Sequence, residues 1–368
     1  MNRTYFDKLV AEIGKKGMDA MLIAPSADLA FLIGHMPLFC LRFQGLFVTK
    51  EGDYFYVCNL LTADEMREVL PNKKVYGWFD GEGFIRATKQ ALMDHGLIGK
   101  TIGVSSAVRA FNLLELQEEI DIKFVSARSL CAEIRIHKTP KEASDMAEVA
   151  RIASEALKRT IPEIRAGLYE KDVQEILVGH IRKLGADGSA MVASGPNSGY
   201  AHYNSNTRRL IKGDTVLIDF GCRYHGMLSD ITRTFFLEKM GEKQKEVYSL
   251  VKEAILAAER VIDQGERWIP AIDRAARRVI EQGGYGKYFT TRLGHGLGYM
   301  PHESPDIKQN NERYLEPGMA FTIEPGIYMP DEFGVRIEDC MIMTPEGRCR
   351  ILSDALSKDC LIIGQENA

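Results

Sequence analysis

The sequence predicts two domains in tandem, an α/β domain over residues 1–133 followed by an α+β domain over residues 134–368. Three observations point there. Short apolar runs alternate with charged helical segments in the first third, helices and strands come in blocks afterwards, and the second part uses one strand pattern twice. At 368 residues, 45% hydrophobic and 27% charged, the chain has the length and composition of a roughly two-domain globular protein.

Residues 4–17 carry a helical period. The runs MDAMLIAP, GLFVTK, DYFYVCN and TIGVSS read as short strands, and LLELQEEI reads as a charged helix among them. In HKTPKE, residues 137–142, Thr139 and Glu142 form a capping-box pattern with Pro140 at the first helical position, so the domain boundary is placed just before it. Helices are then expected over 140–160, 169–184, 242–263 and 269–282, with strands between and after them.

The repeat lies among those strands. GDTVLIDFG (213–221) aligns with GMAFTIEPG (318–326): each has a glycine six residues before an acid, an apolar run between, and a glycine two residues after it. Each is followed by a segment with an acid four residues after a glycine, GMLSD (226–230) and GVRIE (334–338). Four acids, Asp219 with Asp230 and Glu324 with Glu338, thus hold equivalent places in two copies, which predicts a pseudo-twofold architecture.

Side chains alternate faces along a strand, so Leu217 shares a face with Asp219, Thr322 with Glu324, and Arg336 with Glu338, while Ile218, Ile323 and Ile337 point the other way. A buried, ionised and unpaired carboxylate costs several kcal/mol, so acids in such surroundings are neutralised, paired or bound to a cation. One acid alone would read as turn punctuation or a local salt bridge. Four in matched positions, two per hairpin and brought face to face by a twofold, read as a carboxylate cage for divalent metal.

Between the copies lies TRLGHGLGYMPHESP, 291–305, where glycines on both sides of His295 allow close backbone approach and an imidazole can serve as the one nitrogen donor of an oxygen-rich site. His302 follows in the same stretch, and SGPNSGYAHYN places His202 in a polar, turn-rich loop. His35, His95, His137, His180 and His225 have no such setting and read as surface or structural residues.

Net charge is only -4 with both signs interleaved, which excludes a nucleic-acid footprint or a polybasic membrane patch. No apolar stretch has the length of a signal peptide or a membrane span. Seven scattered cysteines without a close CxxC pair read as reduced thiols, pointing to a cytoplasmic protein.

LIDFG with Asp219, SDITRTF with Asp230, GHGLG with His295, HESP with His302, TIEPGIY with Glu324 and GVRIED with Arg336 and Glu338 together resemble, in order and spacing, the pita-bread metallopeptidases. That family comprises methionine aminopeptidase, aminopeptidase P and prolidase, with creatinase as a metal-free relative. The first 133 residues resemble the amino-terminal domain of the aminopeptidase P, prolidase and creatinase branch. The resemblance implies a creatinase-like α/β domain and a pita-bread α+β domain, with Asp219, Asp230, His295, Glu324 and Glu338 as ligands of two divalent ions and Asp230 and Glu338 bridging them. Such a donor set suits Mn²⁺ or Co²⁺, with Zn²⁺ or Fe²⁺ also compatible. Two ions about 3.5–4 Å apart would share a water, lower its pKa and hold the hydroxide opposite a polarised carbonyl.

In the family pattern Glu324 also shuttles the proton to the leaving nitrogen, His202 and His302 line the substrate and steady the oxyanion, and Arg336 orients the bridging carboxylates. The implied function is an exopeptidase acting on peptides with proline after the scissile bond. A dipeptidase of the prolidase type is slightly favoured over an aminopeptidase P acting on longer peptides. A non-peptide hydrolase or lyase, or a non-catalytic binding protein on the same scaffold, stands behind these. A homodimer is implied by the resemblance alone. One departure stands out: many proline-specific members carry a histidine four residues before the metal histidine, whereas here that position is Thr291, followed by Arg292.

Overall fold

The computed structural model describes residues 1–364. Two compact units make it up, Met1–Arg135 and Ile136–Ala368. The first unit is built on a mixed six-stranded sheet. Its strands are β1 (Ala20–Ile23), β2 (Gly45–Thr49), β3 (Tyr54–Asn59), β4 (Val75–Trp78), β5 (Thr101–Val104) and β6 (Lys123–Ser126), in the order β4-β3-β2-β1-β5-β6. β4 and β6 are the strands that periodicity misses. Both are four-residue edge strands with little burial, β4 burying only Trp78 and β6 nothing, so neither shows the fully buried run of an inner strand. The inner β1 and β3 are buried throughout and show up at once.

In the second unit each half opens with two helices and closes with strands. Pro140–Thr160 and Glu170–Lys183 precede β7 (Asp187–Ser194), β8 (Thr215–Tyr224), β9 (Met227–Leu228) and β10 (Ile231–Leu237). Glu242–Asp263 and Ile269–Gln282 precede β11 (Gly294–Gly296), β12 (Glu303–Ile307), β13 (Ala320–Ile323), β14 (Gly326–Met329), β15 (Phe333–Arg336), β16 (Asp339–Met343) and β17 (Cys349–Ile351), and β18 (Ile362–Ile363) ends the order. The sheets run β18-β10-β8-β7 with β9 on β8, and β12-β11-β13-β16-β17, beside the hairpin β14-β15.

Local signals explain the helices. Thr139 takes Glu142 N–H at 3.3 Å while the Glu142 carboxylate takes Thr139 N–H at 2.7 Å, closing the expected capping box with Pro140 just inside. Along Glu242–Asp263 the buried residues Val247, Val251, Ala254, Ile255, Ala258 and Ile262 recur at helical spacing and face one core. Ile218 lies in the core of the first half, and Ile323 and Ile337 in that of the second, all fully buried. Burial of each such side chain contributes about 1.5–3 kcal/mol and anchors the opposite strand face, the one that bears the acids.

Candidate active site

The two copies of the repeat fold into two hairpins of different construction. In the first, Thr232 lies opposite Asp219 and Ile231 opposite Phe220, and the same register continues to Arg223 with Leu228. Asp230, one residue before β10, therefore falls opposite Gly221, so Asp219 and Asp230 share a face as diagonal neighbours. A Cβ on Gly221 would sit 2.7 Å from the Ser229 carbonyl oxygen, so only glycine permits this approach.

In the second hairpin Ile323 pairs with Asp339 and Gly326 with Arg336, a single register interrupted over two residues. Glu324 and Glu338 fall opposite each other inside that gap. Pro325 beside Glu324 has no N–H to give the ladder, which accounts for the break between β13 and β14. Asp219 lies within β8, and the other three acids stand one residue outside a strand.

The hairpins are stitched together at the acids. Glu338 N–H donates to the Thr232 carbonyl at 3.1 Å, and the Thr232 hydroxyl donates to Glu338 Oε2 at 2.7 Å while accepting from Arg336 Nε at 3.0 Å. Arg336 also donates to the Tyr328 hydroxyl at 2.8 Å and forms an ion pair with Asp219. It therefore touches Asp219 directly and reaches Glu338 only through Thr232.

His295 enters from β11, which is pinched between β12 and β13. A Cβ on Gly294 would fall 1.9 Å from the Thr322 carbonyl oxygen and one on Gly296 would fall 2.2 Å from that of Ser304, the physical reason for glycine on both sides. The ring Nδ1 faces the Gly296 carbonyl at 3.0 Å, leaving Nε2 to face Glu324 at 3.1 Å and Asp230 at 3.8 Å. His302, exposed, stands edge-on to His295 with ring centroids 4.4 Å apart. His202 is exposed on the loop after β7, next to Ala201, whose carbonyl accepts a long 3.5 Å bond from Arg336.

Burial and crowding shape the charges. Burial, reinforced by the neighbouring acids, pushes Asp230 and Glu338 well above the usual carboxylate range. Burial would do the same to Glu324, but the hydrogen bond and charge of His295, with Arg336 and Arg292 behind it, bring it below that range. His295 rises because Glu324 and Asp230 outweigh its burial, and His302 falls through burial and the nearby cations.

Ligand atoms within 4.8 Å of one another are offered by three overlapping groups: Asp219, Asp230 and Glu338; His295, Glu324 and Glu338; and Asp230, His295 and His302. Among the described residues one arginine touches this cluster directly, through Asp219, too little positive charge for four carboxylates. Carboxylate oxygen with imidazole nitrogen is a donor set that fits hard to borderline divalent ions.

Residues 144–345 match metallopeptidase family M24, and residues 6–137 match the creatinase/prolidase N-terminal domain. The chain belongs to metallopeptidase family M24. This M24 enzyme is 34% identical to a putative dipeptidase of Bacillus subtilis over 352 residues, 94% of this chain and 96% of that protein. It is 33% identical to an Xaa-Pro dipeptidase of Pyrococcus horikoshii, covering 94% and 95%. The solved prolidase of Thermococcus sibiricus superposes with a TM-score of 0.92 over 99% of both chains at 30% identity. Membership bears out the creatinase-like first domain and the pita-bread second domain, and implies divalent metal ions for the peptidase. Among the described residues no helix is long and apolar enough to cross a membrane.

Several residues that support the M24 site escape motif reading. Thr232 and Tyr328 share strand faces with the acids, a period-2 signal that is present in ITRTF and EPGIY. Glu170 gives no such signal. Fully buried, it collects Ser194 N–H, the Ser194 hydroxyl, Asn197 and the Tyr203 hydroxyl at 2.6–3.0 Å, and so fixes the loop that carries His202. Arg233 and Asp339, paired at 2.7 Å in the core, hold the Glu338 main chain through an Arg233 bond to its carbonyl at 2.6 Å. The five remaining histidines all sit on other partners: His35 on Glu65, His95 on Asp53, His137 on Glu316, His180 on Glu163 and His225 on Asp145.

Proposed function

We infer that this M24 peptidase hydrolyses Xaa-Pro bonds, foremost in dipeptides. The reading takes Asp219, Asp230, His295, Glu324 and Glu338 as ligands of two Mn²⁺ or Co²⁺ ions. The observation that carries it is the convergence of four carboxylates and one imidazole from two hairpins onto one face, joined by Thr232. The dipeptidases among its relatives support the substrate class.

When bound, the ions supply Lewis acidity, making a water acidic enough to attack at neutral pH and polarising the scissile carbonyl. Glu324, paired with His295 at 3.1 Å, takes the proton of the attacking water and hands it to the prolyl nitrogen. That nitrogen cannot leave as an anion, so this transfer is required for bond cleavage. His302 and His202, both exposed, donate to the developing oxyanion. Arg336 holds Asp219 in place and, through Thr232, Glu338. Because the proline amide has no N–H, recognition of the substrate rests on its ring and its charged ends. Free thiols and the family pattern favour a cytoplasmic homodimer.

Elemental analysis of the purified protein, combined with Ala-Pro and Ala-Pro-Ala kinetics, tests the reading. Two divalent ions per chain and turnover of Ala-Pro are expected, with little turnover of the tripeptide. A chain that holds no pair of ions refutes the dinuclear site, comparable tripeptide turnover makes the enzyme an aminopeptidase, and a metal-loaded enzyme inert to every Xaa-Pro peptide has another substrate.

A further inference from the structure

A buried ion pair near the acid cluster has no part in the chemistry above. Lys138 Nζ donates to Glu303 Oε2 at 3.2 Å, and the two side chains are only 1% and 3% exposed. Taking two opposite charges out of water costs about as much as their attraction returns, and packed apolar residues of the same volume often serve stability as well or better. Stability alone is therefore a weak reason for the pair. What it touches is the turn between β11 and β12, residues 297–302, which leads from His295 and Gly296 to His302.

The Glu303 carboxylate acts on both sides of that turn. Its Oε1 accepts the Met300 N–H at 2.8 Å, closing the turn on itself, while Oε2 takes the Lys138 ammonium. Lys138 is itself fixed, since its N–H donates to the Gly318 carbonyl at 2.7 Å and the next residue, Thr139, caps the helix Pro140–Thr160. The turn wraps closely over the pair: a Cβ on Gly298 would run into the end of the Lys138 side chain and fall 3.2 Å from Glu303 Oε2. Two further bonds hold the same turn. The Tyr299 hydroxyl donates at 2.7 Å to Glu142 Oε1, on the carboxylate whose other oxygen closes the capping box, and Leu228 N–H, two residues before Asp230, donates to the Gly298 carbonyl at 2.9 Å.

His302 depends on this backbone. Among the described residues no hydrogen bond holds its ring, which is exposed and meets the His295 ring edge-on at 4.4 Å. Its place is set by the main chain that Glu303 anchors one residue further on, where β12 begins opposite Gly296. Two charges and their hydrogen bonds define a single arrangement of the turn, which apolar contacts do not. We propose that Lys138 and Glu303 are positioning residues that lock the turn so that the His302 ring is presented to the developing oxyanion. This assignment rests on the role of His302 in the Xaa-Pro reading above.

The test is a mutant cycle with His302→Ala, read on Ala-Pro with metal-loaded enzyme. Glu303→Gln keeps the shape and an acceptor for Met300 N–H but removes the charge opposite Lys138. It should lower kcat about 10- to 100-fold, the scale of a slightly misplaced catalytic group, with KM little changed and metal content equal to wild type. His302→Ala should lose at least as much, and His302→Ala combined with Glu303→Gln should be no slower than His302→Ala alone, because Glu303 then has no ring to position. In the metal-free protein the His302 ring resonances should shift in Glu303→Gln, while those of His35, His95, His137, His180 and His225 stay in place. Lys138→Met combined with Glu303→Met removes both charges, so it keeps the test decisive if the single variant fails to fold: it should melt at or above wild type and still turn over slowly. Losses that multiply in the cycle, or a folded Glu303 variant as fast as wild type, overturn the assignment and leave the Xaa-Pro activity standing. Loss of metal from Glu303→Gln overturns it too, since the pair would then support His295. If His302→Ala keeps wild-type turnover, or loaded wild type cleaves no Xaa-Pro peptide, the reading of His302 itself is wrong and the assignment goes with it.

Discussion

The two hairpins of the second unit bring their acids together by different geometry. The first is continuous and sets two aspartates diagonally, with Thr232 opposite Asp219. The second is broken at Pro325 and sets two glutamates directly opposite, at positions where the ladder is interrupted. The first hairpin carries the shorter acids on a continuous ladder, and the second carries the longer ones where its ladder is interrupted. Cross-links run both ways: Arg336, from the second hairpin, holds Asp219 of the first, and Thr232, from the first, holds Glu338 of the second. Neither pair of acids is positioned by its own hairpin alone.

Changing one acid tests this difference most severely. Asp230→Asn and Glu338→Gln should each lower metal content below two ions per chain and cut kcat/KM roughly 1,000-fold, about 4 kcal/mol of transition-state stabilisation. The length argument is sharpened by Glu338→Asp and Asp230→Glu, which keep the charge. If side-chain length is what distinguishes the hairpins, both lose metal affinity, and tight binding by either one breaks the comparison.

A smaller effect is expected at the cross-link. Thr232→Val keeps the shape but removes the hydroxyl between Arg336 and Glu338, so metal affinity should fall about 10- to 100-fold with the fold intact. Unchanged metal titration in that variant would show that the hairpins hold their acids independently.

The smallest effect is on stability without metal. Asp230 and Glu338 have raised folded-state pKa values, so their stabilising contribution is complete below the ordinary carboxylate pKa and is lost as pH rises through the folded values. In chelator, Glu338→Gln should therefore melt a few degrees above wild type at neutral pH, with the gap closing on acidification below the usual carboxylate range. Adding metal should reverse the order. A variant that melts below wild type at neutral pH in chelator would show that the lost attraction to the Arg336 charge outweighs the relieved repulsion.

Much of this site is legible in the residue order, because its signals are local. Spacing between glycines and acids locates four carboxylates, and strand alternation places Arg336 beside Glu338 and puts Ile218, Ile323 and Ile337 in the core. The edge strands β4 and β6, the loop-fixing role of Glu170 and the Arg233–Asp339 pair are not legible there. An edge strand buries few of its positions and so carries a weak pattern, and a buried ion pair has no periodicity of its own.

By itself the sequence determined the two-domain order, the repeat, the helices with their cap at Thr139, and the set of acids and histidines, since each follows from backbone preferences within a few residues. Tertiary structure alone decided that Arg336 pairs with Asp219, that Thr232 joins the hairpins, and that Lys138 pairs with Glu303. Cross-strand register and the packing of distant segments set those partners, and no local rule about a single strand contains them.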